Sequence, residues 1–183
     1  MEFLLVNQYK GVRIANKHSG CRELQQWLGE NHQNASDWKV LMGIRNPFDS
    51  LVSKWLKIKS NHKGKKTSEL ARQIQSGAIS FEIWVQHETN KTHFGLATVK
   101  KYMPCATEAI RFECIQDDWA SFCERHQIPY AEIPSVNPTR KHEDERDFRT
   151  FYTRELIEKL TPQFASYLDQ WGYHPPHISA DHD

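Results

Sequence analysis

The chain has 183 residues, a formal net charge of +1, 38% hydrophobic and 11% aromatic residues, a composition that suits one globular domain over residues 1–183. It contains no run of about 18 apolar residues to span a bilayer, and Phe3 to Val6 is too short for the apolar region of a signal peptide, so a cytoplasmic protein is expected. Cys21, Cys105, Cys114 and Cys123 form no CxxC pair and the histidines no HxxxH or HExxH pair, which argues against a disulfide framework and against a metal site.

Taken in chain order, Phe3 to Val6 and Val12 to Ala15 are short β-type runs around Gln8-Tyr9-Lys10-Gly11. Either a hairpin or a core strand preceded by an edge strand fits them. After Asn16 to Gly20 the apolar spacing changes to Leu24, Trp27 and Leu28, an amphipathic helix ending near Gly29. Trp38 to Ile44 is a second strand. Asn46 then opens the best-specified helix: an N-cap asparagine, Pro47 at the first helical position, Asp49 three residues after the cap, and a stripe of Phe48, Leu51, Val52, Trp55 and Leu56.

Ser60 to Lys66 is predicted as a basic loop, Thr67 to Gln75 and Phe81 to Glu88 as helices separated at Ser76-Gly77, and Ala109 to Cys114 as a third strand. A helix from Asp117 to His126 turns Trp119, Phe122 and Cys123 inward. Past the proline-bearing stretch Ile128 to Pro138, a helical C-terminus offers Phe151, Leu156, Leu160, Phe164, Tyr167, Leu168 and Trp171 to the core. Strands alternating with helices predict an α/β fold with a central, mainly parallel sheet flanked by helices in three layers.

Two strand-to-helix turns carry cations. Asn16-Lys17-His18-Ser19-Gly20-Cys21-Arg22 combines Lys17 and Arg22 with the Ser19 hydroxyl and with Gly20, which lets backbone approach an anion. It is not a Walker A loop. Arg45 stands where an apolar strand ends and a helix begins, a position at which a cation commonly holds an anion.

The segment Arg45-Asn46-Pro47-Phe48-Asp49-Ser50-Leu51-Val52-Ser53 resembles the RNP-x-D-R-x-V-S segment of sulfotransferases that use 3′-phosphoadenosine 5′-phosphosulfate. Lys17 to Arg22 is similar to that family's PK-x-G-x-T-S loop, Arg111-Phe112-Glu113-Cys114-Ile115 to its RFEDL strand end, and Asp147 to Tyr173 to its YY…L…FGY ending. The chain departs from the pattern where Asn16 replaces proline, and where Cys21 and Arg22 replace threonine and serine.

The resemblance implies a fold with P-loop-like strand-loop-helix phosphate sites. It also implies sulfuryl transfer to an acceptor hydroxyl or amine, with 3′,5′-adenosine bisphosphate as product and no metal. It assigns the 3′-phosphate to Arg45 and Ser53, with Arg140 and Lys141 closing over the nucleotide. The 5′-phosphosulfate falls to Lys17, Ser19 and the backbone N–H groups of Gly20, Cys21 and Arg22, with Lys17 also serving the leaving group. For the general base, the same comparison singles out Glu30, His32 and His93. Ordinary structural roles stand beside these: an ion pair to Asp49 for Arg45, a solvent-facing helix position for Ser53, and a surface loop balancing Glu143 to Glu145 for Arg140 and Lys141.

Lys54, Lys57, Lys59, Lys63, Lys65 and Lys66 lie within thirteen residues that contain no acid. They form a solvated face or attract a polyanion such as an acidic glycan acceptor. Trp55 belongs to the core stripe rather than to a base-stacking surface, which argues against nucleic acid. Two other functional classes compete: a nucleotide phosphotransferase, disfavoured by the absent Walker residues, and a non-catalytic polyanion-binding module built on residues 54–66.

Overall fold

The computed structural model describes residues 3–7, 10–14, 21–32, 34, 37–60, 68–89, 106–133 and 147–177. These form a mixed α/β structure, more helical than extended. The chain divides into two compact units, Met1–Arg45 with Ala97–Ser135, and Asn46–Leu96 with Val136–Asp183.

The first unit is built on a sheet of strands β1 (Phe3–Asn7), β2 (Lys10–Ile14), β3 (Lys39–Ile44) and β4 (Glu108–Arg111), in the order β2-β1-β3-β4. β1 pairs antiparallel with β2, from Phe3↔Ile14 to Asn7↔Lys10, and antiparallel with β3, whereas β3 and β4 are parallel. The expected mainly parallel sheet is therefore, among the described strands, a mixed one with a single parallel pair. The reason lies in the short connection between Asn7 and Lys10: it can close a hairpin, whereas a parallel pair needs a crossover of a dozen or more residues. Of the two arrangements open at this point, the hairpin is the one observed.

Val40, Leu41, Met42 and Ile44 of β3 are all buried, so this strand is covered on both faces and reads as a continuous apolar run. Beyond β4 the chain makes a 3-10 turn at Phe112–Cys114 and enters helix α5 (Ile115–Arg125). The strand expected through Cys114 thus stops at Arg111. Helix α5 lays Trp119, Phe122 and Cys123 against Leu41, with Ile110, Ile128 and Ile133 around them. Helix α1 (Cys21–Glu30) buries Leu28 and sets Trp27 edge-on to Trp38, with ring centroids 5.3 Å apart.

The second unit is helical among its described residues: α2 (Pro47–Ser60), α3 (Glu69–Gln75), α4 (Phe81–Thr89) and α6 (Arg154–Trp171), the last preceded by a 3-10 turn at Phe148–Phe151. The local signals for α2 act as expected. Asn46 Oδ1 accepts the Phe48 N–H at 3.0 Å, and Phe48, Leu51, Val52 and Trp55 are buried while Leu56 is partly so. Ser68 and Thr153 cap α3 and α6 by accepting the N–H groups of Ala71 and Leu156, each at 3.2 Å. Helix α6 ends at Gly172, whose φ of 65° is the left-handed conformation that glycine tolerates without strain.

The core of this unit is aromatic: Phe48 meets Tyr152 and Phe164 edge-on, both at 5.2 Å, and Trp55, Phe81 and Trp84 pack beside them. Each such ring, withdrawn from water, contributes roughly 1.5–3 kcal/mol before entropy is charged. Leu156, Leu160, Phe164, Tyr167 and Leu168 are buried as the apolar spacing predicts, whereas Phe151 and Trp171 are only half-buried. Among the described residues, no helix is long and apolar enough to cross a membrane.

Candidate functional site

Because β1 runs against both β2 and β3, and β3 runs with β4, strands β2, β3 and β4 point the same way. Their carboxyl ends share one edge of the sheet, where strand-to-helix turns bring helix N-termini and ligands together in α/β proteins. At that edge β2 ends at Ile14, Arg45 follows β3, and the 3-10 turn follows β4. β1 separates β2 from β3, so their ends stand about 10 Å apart.

Arg45 is half-buried immediately beyond the last residue of β3. Its guanidinium carbon lies over the ring of Phe112, 4.4 Å from the centroid, within the range of an attractive cation–π contact. The β3–β4 register explains the meeting: Ile44 pairs with Arg111, so the residues that follow each strand, Arg45 and Phe112, come abreast.

Arg111 is engaged differently. Its Nε and Nη2 donate to the two Asp118 oxygens at 2.9 and 2.7 Å, a bidentate fork, and its backbone N–H donates to Asp118 at 2.7 Å. The Arg111 hydrogen bond holds the Asp118 carboxyl below the usual range against the opposing effect of burial. This clamp from the first turn of α5 turns the chain at Phe112, which is why the strand ends early.

At the other end of β4, Glu108 accepts from Arg125 at 2.6 Å and pairs with His126, whose ring packs on Phe122 at 4.4 Å. Burial works to raise the Glu108 carboxyl, but the hydrogen bonds and charges of Arg125 and His126 together hold it below its ordinary value. These pairs hold α5 to β4.

In the second unit, the first turn of α2 is fixed from several directions. Asn46 Nδ2 donates to the His174 carbonyl at 3.2 Å, the Tyr152 hydroxyl donates to the Phe48 carbonyl at 2.8 Å, and Asp49 is buried. Ser53 lies about two turns further along α2 and is half-buried. Lys54, the first of the lysine stretch, pairs with the buried Glu88. That lysine holds α2 to α4, while Lys57 and Lys59 are exposed and residues 61–67 lie outside the described residues.

Among the other sequence-derived candidates, Cys21 and Arg22 open α1, so their backbone N–H groups belong to the first turn, which has no intrahelical acceptors. Lys17, Ser19, Gly20, His93, Arg140 and Lys141 lie outside the described residues. Glu30 and His32 are exposed at the opposite end of α1, about 13 Å along the helix axis from Cys21. There Glu30 accepts from Gln26 at 2.7 Å, and the His32 N–H donates to the Gly29 carbonyl at 3.2 Å with φ 51°.

Phe112 and Asp118 were not singled out by sequence reasoning as site residues. The only signal for either was Phe112's place in the Arg111-Phe112-Glu113 run; its contact with Arg45 depends on strand register. Among the described residues, no three His, Cys, Asp or Glu side chains gather as they would around a metal ion. No family model, curated protein or solved structure matches the chain.

Proposed function

We propose that the chain is a sulfotransferase of the kind that uses 3′-phosphoadenosine 5′-phosphosulfate, moving a sulfuryl group to a hydroxyl or amine of an acceptor, with an acidic glycan as the acceptor class that the basic stretch suits. The observation that carries this is the position of Arg45. It ends a buried strand at the edge where β2, β3 and β4 all terminate, directly ahead of an asparagine-capped helix, within the Arg-Asn-Pro…Ser53 segment that resembles the family's 3′-phosphate motif. A guanidinium beyond a strand end and the free N–H groups at the opening turn of α1 are donors of the kind that suit a nucleotide with two phosphate groups.

In this assignment Arg45 and Ser53 hold the 3′-phosphate, with Arg140 and Lys141 as further contacts. Ser19 and the backbone N–H groups of Gly20, Cys21 and Arg22 hold the 5′ end. Lys17 places its ammonium where charge grows on the leaving phosphate as the sulfur–oxygen bond breaks, an interaction stronger in the transition state than before it. The acceptor's oxygen or nitrogen bonds to sulfur and its proton passes to a general base. Glu30, His32 and His93 are the base candidates.

Calorimetric titration of 3′,5′-adenosine bisphosphate without added metal tests the assignment. Micromolar binding by the wild type, weakened by roughly 2 kcal/mol or more in Arg45→Ala, is the expected result for a charged hydrogen bond. Failure of the wild type to bind overturns it.

A further inference from the structure

Along α2, Ser50, Ser53 and Lys57 recur at the three- and four-residue spacing that puts them on one face of the helix, opposite the buried stripe of Phe48, Leu51, Val52 and Trp55. That face points away from the core of the second unit, yet both serines are half-buried, while Lys57 is exposed. The two hydroxyls therefore lie in a recess of the helix flank, with a cation at its end.

These three side chains are uncommitted. Ser60, Thr89 and Thr161 turn their hydroxyls back onto helix carbonyls three or four residues earlier, the usual recourse of a helical hydroxyl. Among the described residues, Ser50 Oγ and Ser53 Oγ have no hydrogen-bond partner and Lys57 has no ion pair. Lys54, one residue past Ser53, is instead held by Glu88. Helical side chains lean toward the N-terminus, so Lys57 reaches back over the turn that carries Ser53.

Resting on the assignment of Ser53 to the 3′-phosphate, and asking nothing of the Arg45 donors, we infer that Lys57 and Ser50 complete that phosphate site along the flank of α2. The hydroxyls of Ser50 and Ser53, one turn apart, donate to two oxygens of a phosphomonoester, and the Lys57 ammonium supplies a compact point charge to it. Lys57 thus belongs to the nucleotide rather than to the acceptor. Lys59, roughly 200° further round the helix, stands apart from the site.

Titrations of 3′,5′-adenosine bisphosphate and of adenosine 5′-monophosphate, which lacks the 3′-phosphate, into wild type, Lys57→Ala, Lys57→Arg, Lys59→Ala and Ser50→Ala test this. Lys57→Ala is expected to weaken bisphosphate binding about five- to tenfold, between the value of an exposed ion pair and that of a charged hydrogen bond. Lys57→Arg keeps the charge and should bind within about twofold of wild type, and Ser50→Ala should bind more weakly by about two- to fivefold. Lys59→Ala should bind as the wild type does, and monophosphate affinity should be unmoved in every variant.

Wild-type bisphosphate affinity in Lys57→Ala overturns the inference and leaves the Ser53 assignment standing. Equal losses in Lys57→Ala and Lys59→Ala, or equal losses for the two nucleotides, mean diffuse attraction by the lysine stretch and overturn it as well. No bisphosphate binding by the wild type overturns the phosphate assignment and this inference together.

Discussion

The Tyr152 hydroxyl donates to the main-chain carbonyl of Phe48 at 2.8 Å, joining the segment that enters α6 to the first turn of α2. Both residues are buried, and their rings meet edge-on. Tyr152→Phe keeps the packing and removes the donor, so it should lower stability by about 1 kcal/mol, read as a shift in denaturant midpoint at unchanged slope. An unshifted midpoint would show that the bond contributes nothing net.

The same tyrosine makes stability sensitive to alkali. Burial, reinforced by the charge of Asp49, pushes the Tyr152 hydroxyl far above its ordinary value of 10.0. A group raised in the folded state contributes stability that is fully present below the unfolded value and lost as pH rises toward the folded one. Stability should therefore begin to fall near pH 10.0, and the loss should be smaller in Tyr152→Phe. Parallel curves for the two proteins would rule the tyrosine out as a cause.

Lys54 and its neighbours should behave differently under substitution. Lys54→Ala removes the ammonium that faces the buried Glu88 carboxylate, and a cost of about 1–2 kcal/mol is expected, moderated by the solvent around a half-exposed lysine. Lys57→Ala and Lys59→Ala, on the exposed face, should stay within about 0.5 kcal/mol of wild type. Chemical denaturation of the three variants separates them; equal effects would mean that Lys54 has no special structural role.

Acid should loosen the first unit through its carboxylates. Glu108 and Asp118 are both held below their ordinary values of 4.5 and 3.8 by the arginines beside them, with His126 adding to the effect at Glu108. A depressed carboxylate contributes stability that is present above the unfolded value and lost as pH falls through the folded one. Melting temperature should drop below about pH 4.5, and Asp118→Asn should be less stable than wild type at neutral pH but converge with it in acid. A constant gap across that range would contradict the sign of the Asp118 contribution.

Lys17 and Arg45 should fail in different ways if transfer is the activity. Lys17→Ala should lower kcat by about a hundredfold or more, since its charge matters most in the transition state. Arg45→Ala should chiefly raise KM for the nucleotide, because the 3′-phosphate takes no part in the bond change. Steady-state transfer assays on both variants, with a sulfated glycan acceptor series, check this; undiminished activity in both removes the two residues from the mechanism.

What sequence alone determined here is whatever neighbouring residues decide among themselves. Helix α2 is the clearest case: the Asn46 cap, Pro47, and the stripe from Phe48 to Trp55 act within a few residues of one another, so the element and its buried face were legible before any coordinates. The inward residues of α5 and most of those of α6 were legible for the same reason. Strand partnership was not, because β1 lies between β2 and β3 through hydrogen bonds whose partners lie far apart in sequence. Only the folded sheet shows β2, β3 and β4 ending on one edge. The end of β4 was likewise decided at a distance, by Asp118 seven residues on, which closes on Arg111 and stops the strand before Phe112. The contact between Arg45 and Phe112 needs the β3–β4 register, which no local spacing encodes, and so the cation was readable in the sequence while the ring beneath it was supplied by the tertiary structure.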